Sequence, residues 1–374
     1  MSDILYLDHN ATTPVFTEAQ EAMANALSEC WGNPSSGHAA GLAARAIVDD
    51  ARRAVLALCD ADRGAQLIFT SGATEAINQV ISSAPAGRLI TTALEHPAVH
   101  EAAAKRPDLQ VELVEVEPSG YVDALRLLDM VDQGEPPVLV CCMAANNETG
   151  VVQPIGELVR PLRAREVPLL VDASQMAGRL TLNFEAPDYL VLTAHKLGGP
   201  KGVGALVMRT AGQVNPLIVG GGQESGLRAG TEPVPAIAGF GAAAKVVLDT
   251  RNEEASRMWN LREAMARHLL HRLPGSRVLG IGAPRLPNTL SFMLPEGMTS
   301  SALKAALAKE GICVSSGSSC HEGHDAPSAV LTAMGLSAEE AGRVLRISMG
   351  PINAAEDIGH FVERLSQLGA EQRS

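Results

Sequence analysis

The residues of this chain that could carry chemistry follow directly on short apolar runs. Phe69 to Asn78 (FTSGATEAIN) reads as a strand end, a turn at Gly72 and a helix beginning near Thr74. That junction aims backbone N–H groups, a hydroxyl and the positive end of a helix at one spot, as a phosphate cradle does. Alone, the segment is better explained as an ordinary helix N-cap with Thr74 as the capping residue. It is not a P-loop, because Gly-x4-Gly-Lys-Ser/Thr is absent. Asp172 closes another apolar run, at the strand edge where ligands of open α/β sheets gather. A carboxylate buried there needs a cation or N–H groups. A protonated pyridine nitrogen would serve, and so would a helix cap or a structural ion pair. His195 and Lys196 stand between an apolar run and a Gly-Pro turn, in TAHKLGGPKG. A lysine desolvated there could be a neutral amine and form a Schiff base. Lys201 competes by residue type, and either could be a plain solvent-facing lysine. His96, between Glu95 and Pro97, could stack on a ring or move a proton, or be structural. Asn146, Asn147 and Glu148 offer amide donors after a further run. Each signal is modest, but together five strand ends deliver polar groups suited to one anionic, aromatic ligand.

Cys320 lies in a Gly/Ser-rich stretch, Ser315 to Ser328 (SSGSSCHEGHDAPS), whose polarity predicts an exposed, mobile thiol. A nearby cation or dipole would favour its thiolate; the plain alternative is an inert surface cysteine. His321 and His324 flank it without the usual ligand spacing, and no cysteine forms a CxxC pair, so no metal site is expected. The remaining five cysteines, at 30, 59, 141, 142 and 313, read as packing residues.

The elements that must position these groups follow from the apolar patterning. With 374 residues, 46% of them hydrophobic, the chain can bury a large core and a smaller one, which excludes disorder as its main state. A net charge of −12 and an aromatic content of 3% argue against general nucleic-acid binding. No run approaches the length of a bilayer span, and the N-terminus lacks a basic head followed by an apolar stretch. The expectation is therefore a cytoplasmic protein with reduced thiols and no membrane partner. Residues 1–13 read as an extended lead-in, 18–28 and 38–58 as helices. Strand candidates are 67–70, 88–92, 111–116, 137–143, 168–172, 189–193 and 204–208, mostly separated by helical or turn segments. Buried strands interleaved with helices predict an α/β sheet covered on both faces. A long amphipathic helix is expected from about Ala236, with a break near Thr250. The last hundred residues predict a smaller α/β unit with strands at 288–293, 312–315 and 344–348, helices at 301–309 and 354–368, and a frayed end from Gly369.

Taken together, the segments resemble the cysteine desulfurases of the NifS/IscS type, fold-type I pyridoxal-phosphate enzymes of the class V aminotransferase superfamily. The resemblance rests on Tyr6 to Pro14, Gly32 to Ser36, Thr70 to Asn78, Glu95 to Val99 and Asn146 to Gly150. It continues through Asp172 to Gln175, His195-Lys196, Gly221 to Glu224, Arg228 to Thr231, Ser315 to Cys320 and Arg346 to Gly350. The matches run in order over nearly the whole chain. The resemblance implies a large domain at 15–250 with a central, mostly parallel seven-stranded sheet. It implies a small α/β domain of 1–14 and 251–374, carrying the mobile catalytic-cysteine loop at about 315–328.

The resemblance also assigns roles. Lys196 would hold pyridoxal 5'-phosphate covalently, Asp172 would pair with its ring nitrogen and His96 would stack on the ring. Gln175 and Asn147 would reach the ring oxygen. The phosphate would be held by the Ala73 N–H, Thr74, Thr193 and His195, and by Thr231 of a second subunit, which makes the protein a homodimer. Arg346 would clamp the substrate carboxylate, with Asn33 as a second candidate. Cys320 would take the sulfur of L-cysteine as a persulfide, releasing L-alanine, and pass it to an acceptor protein of iron–sulfur assembly or another thiolation pathway. A selenocysteine lyase, a plain class V aminotransferase and a non-catalytic sulfur-relay scaffold are the competing readings. The sequence departs from the family pattern at His9 and Thr193, where Asn and Ser are common, at Thr149, at Ser319 and in the His-Glu-Gly-His run after Cys320.

Overall fold

The computed structural model describes residues 4–61, 64–209, 214–316 and 327–373. The chain opens on a short strand, β1 (Leu5–Tyr6), and two helices, α1 (Thr17–Glu29) and α2 (Ala39–Leu58). Strands and helices then alternate: β2 (Gln66–Thr70), α3 (Ala73–Ser83), β3 (Gly87–Thr92), α4 (Pro97–Ala104), β4 (Leu109–Val114), α5 (Ala124–Val131), β5 (Leu139–Cys141), α6 (Ile155–Ala164) and β6 (Leu169–Asp172). Two further strands, β7 (Tyr189–Thr193) and β8 (Gly204–Met208), complete a seven-stranded sheet in the order β2-β8-β7-β6-β5-β3-β4. Only β8 runs against its neighbours; the other pairings are parallel.

These strands read as apolar runs because both faces of the sheet are covered. The period of two divides each strand between the two sides. Leu67, Phe69, Val171, Leu190 and Leu192 enter one core, and Ile68, Leu170, Tyr189 and Val191 the other. Helices α3 and α4 cover the second face through Ile77, Ile81 and Val99. The first is covered by α1, α2, α5, α6 and the start of α7 (Val234–Arg272).

A second unit follows α7: β9 (Arg277–Val278), β10 (Thr289–Met293), α8 (Ser300–Lys309), β11 (Ile312–Cys313), β12 (Ser315–Ser316), α9 (Ala329–Ala333), α10 (Ala338–Ala341), β13 (Val344–Ser348) and α11 (Ala355–Arg373). Its four-stranded sheet runs β12-β13-β10-β9, while β1 pairs in parallel with β11. Leu7, Phe292, Leu345, Phe361 and Leu365 share this unit's own core. No helix among the described residues is long and apolar enough to cross a membrane.

Three expectations are corrected. Helix α7 is continuous over 39 residues and does not break near Thr250. The Thr250 hydroxyl donates to the Val246 carbonyl one turn back (2.8 Å), so the residue is accommodated within the helix. The helix thereby feeds Phe240 and Val247 into one core and Met258, Met265 and Leu269 into the other. The strand expected at 312–315 is divided between two sheets, with Val314, the residue between the two strands, in the second core. The end of the chain holds as helix to Arg373, because Gly369 lies directly against Met298 and the Gln372 side chain accepts the Thr299 N–H (3.3 Å).

Candidate active site

Strands β2, β3, β5, β6 and β7 all end at the same edge of the large sheet, and their ends open onto one cavity of about 500 Å³. At the end of β2 the Thr70 hydroxyl donates to the Gly72 carbonyl (2.9 Å) and fixes the turn into α3. The N-cap of α3 is Gly72, and no side chain caps it. Thr74 is therefore not the capping residue; with Gly72 and Ala73 it lines the cavity. The α3 N-terminus keeps unpaired N–H groups and its positive dipole end for an anion. The turn lies so close to β8 that a Cβ on Gly204 would stand 2.7 Å from the Gly72 Cα. Ser71 N–H donates to the Glu75 carboxylate (2.8 Å), which Arg228 also holds (3.0 Å).

At the end of β3, His96 caps α4: its Nδ1 accepts the Ala98 N–H (3.1 Å), which places the proton of the neutral ring on Nε2. The ring lines the cavity. Beneath it Glu95 is buried and accepts the Thr92 hydroxyl and the Met143 N–H, both at 2.9 Å. Burial, with the charge of Asp172 adding, pushes the Glu95 carboxyl up to about 7 against those two hydrogen bonds. After β5, Asn147 reaches the cavity wall and its carbonyl accepts from Asn10 and Arg346.

Asp172, the last residue of β6, is 9% exposed and faces the cavity. One of its oxygens accepts the Ser174 N–H (2.9 Å), and among the described residues no cation forms an ion pair with it. The Ser174 hydroxyl, also on the cavity wall, is buried without a hydrogen-bond partner among the described residues. Gln175 lies behind the wall: its Nε2 donates to the Asn10 carbonyl (3.1 Å) and its Oε1 accepts from Arg179 (2.8 Å). Past β7, Thr193, His195 and Lys196 all line the cavity, the last two on a single 3-10 turn. His195 Nδ1 lies 3.2 Å from the Thr12 hydroxyl. Burial, then the charges of Lys196, Lys201 and Arg179, push its pKa down to about 4, so the ring is neutral at pH 7.

The second unit closes the cavity. Register between β10 and β13 sets Arg346 opposite Ser291, and its side chain, 3% exposed, reaches the cavity. Its guanidinium donates to Asp8 (2.8 Å) and to the Asn147 carbonyl (3.3 Å). Nearby, the Ser328 hydroxyl donates to Glu148 (2.6 Å). Burial raises the Glu148 carboxyl to about 7, opposed by Ser328 and Arg346.

Residues 5–361 match the family model described as aminotransferase class-V. The chain belongs to that family. It is 40% identical to a cysteine desulfurase of Frankia sp. (strain EuIK1), an alignment covering 99% of this chain and 92% of the relative. Among solved structures, the NifS-like protein from Rickettsia africae ESF-5 superposes with a TM-score of 0.89 at 31% identity, over 98% of this chain and 99% of that one. SspA in complex with cysteine superposes with a TM-score of 0.80 at 29% identity, over 94% and 100%. The class-V architecture of a mostly parallel sheet with a smaller α/β unit is the one expected from the sequence.

Within this class-V framework, the residues suit pyridoxal phosphate on the structure's own terms. Among the described residues, a buried carboxylate without a cation partner, an uncapped helix N-terminus, a hydroxyl without a hydrogen-bond partner and a lysine share one cavity of a size typical for small-ligand sites. Of the sequence-derived site residues, Ala73, Thr74, His96, Asn147, Asp172, Thr193, His195, Lys196 and Arg346 come together there. Gln175 stands behind the wall. Asn33 is exposed, its side chain accepting the Ser35 N–H (2.9 Å) in a local turn, and Thr231 is exposed away from the cavity. Cys320, His321 and His324 lie outside the described residues. Sequence reasoning gave no role to Asp8, Asn10, Ser174 or Arg179. The quoted runs Tyr6 to Pro14 and Asp172 to Gln175 contain the first three, and a charged Arg179 just beyond a buried strand end was the signal for the fourth.

Proposed function

We propose that this protein is a pyridoxal-phosphate-dependent cysteine desulfurase that takes sulfur from L-cysteine and passes it, as a persulfide on Cys320, to an acceptor protein. One observation carries the reading: Asp172, buried and unpaired by any described cation, and Lys196 stand at the ends of adjacent parallel strands in one cavity that Arg346 closes. The relatives named cysteine desulfurases and the cysteine-bound SspA support the same substrate.

In this reading Lys196 would hold the coenzyme covalently, and Asp172 would keep a proton on its ring nitrogen. His96 would stack on the ring; Asn147 on the cavity wall and Gln175 behind it would serve the ring oxygen. The Ala73 N–H, Thr74, Thr193 and His195 would hold the phosphate, joined by Thr231 from a second copy in a homodimer. The coenzyme supplies an electron sink for the charge that develops at the substrate Cα. Arg346 binds the substrate carboxylate through a fork geometry suited to it, with Asn33 as a second candidate. With substrate bound, the Lys196 amine would take the proton from Cα. The Cys320 thiolate attacks the substrate sulfur; the carbon–sulfur bond breaks, its electron pair stays with carbon, and protonation gives L-alanine. The acceptor is an iron–sulfur scaffold or a thiolation protein. A cytoplasmic location goes with this role, because a thiolate carrier needs a reducing compartment. The chain divides on the same reading into a large domain of 15–250 and a small one of 1–14 and 251–374, a division supported by Leu7 packing in the second core.

The test is direct. Purified protein incubated with pyridoxal phosphate should take up a visible chromophore that Lys196→Ala does not form. Cys320→Ala should keep the chromophore and lose alanine and sulfide production from L-cysteine. Turnover of cysteine unchanged in Cys320→Ala would remove the persulfide route. Turnover of selenocysteine but not cysteine would make the protein a lyase, and a wild type that never binds the coenzyme would leave a scaffold.

A further inference from the structure

Arg179 is a buried charge that no described residue compensates. Its residue is 9% exposed, and among the described residues no carboxylate forms an ion pair with it. Its donors go to three neutral oxygens: the Gln175 carbonyl (2.6 Å), the Gln175 side-chain Oε1 (2.8 Å) and the His9 carbonyl (2.9 Å). A guanidinium cannot lower this cost by losing a proton, as a lysine would. Burial and the nearby charge of Arg346 both disfavour its charged form. Unpaired buried cations are rare because desolvation is not repaid. The charge therefore points to a negative group that a ligand brings.

The contact with Gln175 shows where. A guanidinium only donates, so the carboxamide oxygen must face Arg179 and the NH2 end must face away from it. That end donates to the Asn10 carbonyl (3.1 Å), and Asn10 and Ala11 form the cavity wall on this side. The Asn10 side chain is held in turn by the Asn147 carbonyl and Thr289. The carboxamide is thus fixed by one charged donor below it and one backbone acceptor beside it.

We propose that Arg179 is a positioning residue of the coenzyme site: it locks the Gln175 carboxamide with its donor end toward the cavity wall and holds there a positive charge that is balanced by the anionic ring oxygen of the ligand. The inference rests on the reading of the cavity as a pyridoxal-phosphate site. It makes Arg179 specific for one atom of the ligand, which a merely structural arginine would not be.

Apoprotein carrying Arg179→Met or Arg179→Lys is titrated with pyridoxal phosphate and with its 3-O-methyl analogue, which lacks the anionic oxygen, and thermal melts of each apoprotein are recorded. Arg179→Met should lose about tenfold or more in affinity for pyridoxal phosphate. It should bind the analogue as the wild type does, with an apoprotein melting no lower than wild type because an uncompensated charge is gone. Arg179→Lys, which keeps the charge but not the fork, should lose less. Equal losses for both ligands, or no loss for either, would overturn the proposal. If Arg179→Met does not fold, Arg179→Lys decides by the same comparison of ligands. A wild type that binds neither ligand refutes the underlying reading and the proposal with it, and that outcome is distinct from a wild type that binds both while Arg179 makes no difference.

Discussion

Replacing His9 by Asn should flatten the acid side of the protein's stability profile. The His9 ring is 1% exposed, and neither of its nitrogens has a hydrogen-bond partner among the described residues. Tyr6 packs edge-on at 5.0 Å, and a Cβ on Gly350 would stand 2.1 Å from the ring's Nδ1, so the backbone there closes directly over it. Burial, and then the positive charge of Arg179, push the His9 pKa down from 6.5 to about 3. The folded state therefore excludes a proton that the unfolded chain accepts. Stability is full above pH 6.5 and is lost as pH falls from there toward 3. At pH 5 the loss from this one ring is about 2 kcal/mol, and at pH 8 it is close to zero. Asparagine carries no such linkage. Urea unfolding of wild-type and His9→Asn apoprotein at pH 8 and pH 5, followed by far-ultraviolet circular dichroism, isolates the ring as a difference of differences. Other titrating groups, including His195, cancel because they are common to both proteins. Asparagine packs differently from the imidazole at every pH, so only the change with pH is read. The reasoning fails if the two proteins lose the same stability between pH 8 and pH 5, or if the His9 ring protons in the wild type titrate near pH 6.5 by NMR.

Two further perturbations address the site itself. Glu95→Gln should gain stability relative to wild type as pH rises from 4.5 to 8, by about 3 kcal/mol, because the folded carboxyl is raised to about 7 and resists the ionisation that the unfolded chain permits; thermal melts across that range would show parallel profiles if Glu95 ionised normally. Gly204→Ala puts a methyl 2.7 Å from both the Gly72 Cα and the Leu192 carbonyl. It should cost about 1–3 kcal/mol and weaken binding of pyridoxal phosphate and inorganic phosphate together; unchanged phosphate competition would mean that the Gly72 turn does not form the cradle.

The large sheet was legible because its strands are buried on both faces and so appear as apolar runs, from Leu67 to Thr70 through Gly204 to Met208. The site was legible for a related reason: where such a run stops, the next polar residue is at the sheet edge, as with Asp172, Thr193 and His96. What periodicity does not encode is how an element is partnered. Nothing local distinguishes a helix serving one core from one serving two, so the continuity of α7 past Thr250 was not visible. The run 312–315 looked like one strand because its division depends on β1 and β13, both far away in sequence. Thr74 looked like a cap because Thr is a good one, whereas the backbone gives that position to Gly72. Gln175 and Arg179 face each other across a single turn, and only side-chain geometry reveals which end of the amide is presented.

The charges around the cavity restrict what it can hold. Glu75 is matched by Arg228, and Asp8 by Arg346, so neither carboxylate calls for a ligand. Asp172 and Arg179 are left without ion-pair partners among the described residues, one on the cavity wall and one behind it, linked through Ser174 and Gln175 of a single turn. A buried anion and a buried cation that do not meet each other define a direction. A ligand that satisfied only one of them would leave the other desolvated and unpaired. On the proposed reading, pyridoxal phosphate would answer both, with a protonated nitrogen on one edge and an anionic oxygen on another, and its phosphate would go to the uncapped end of α3. The same polarity argues against a neutral aromatic occupant, which would gain the stacking of His96 and forgo every charged contact.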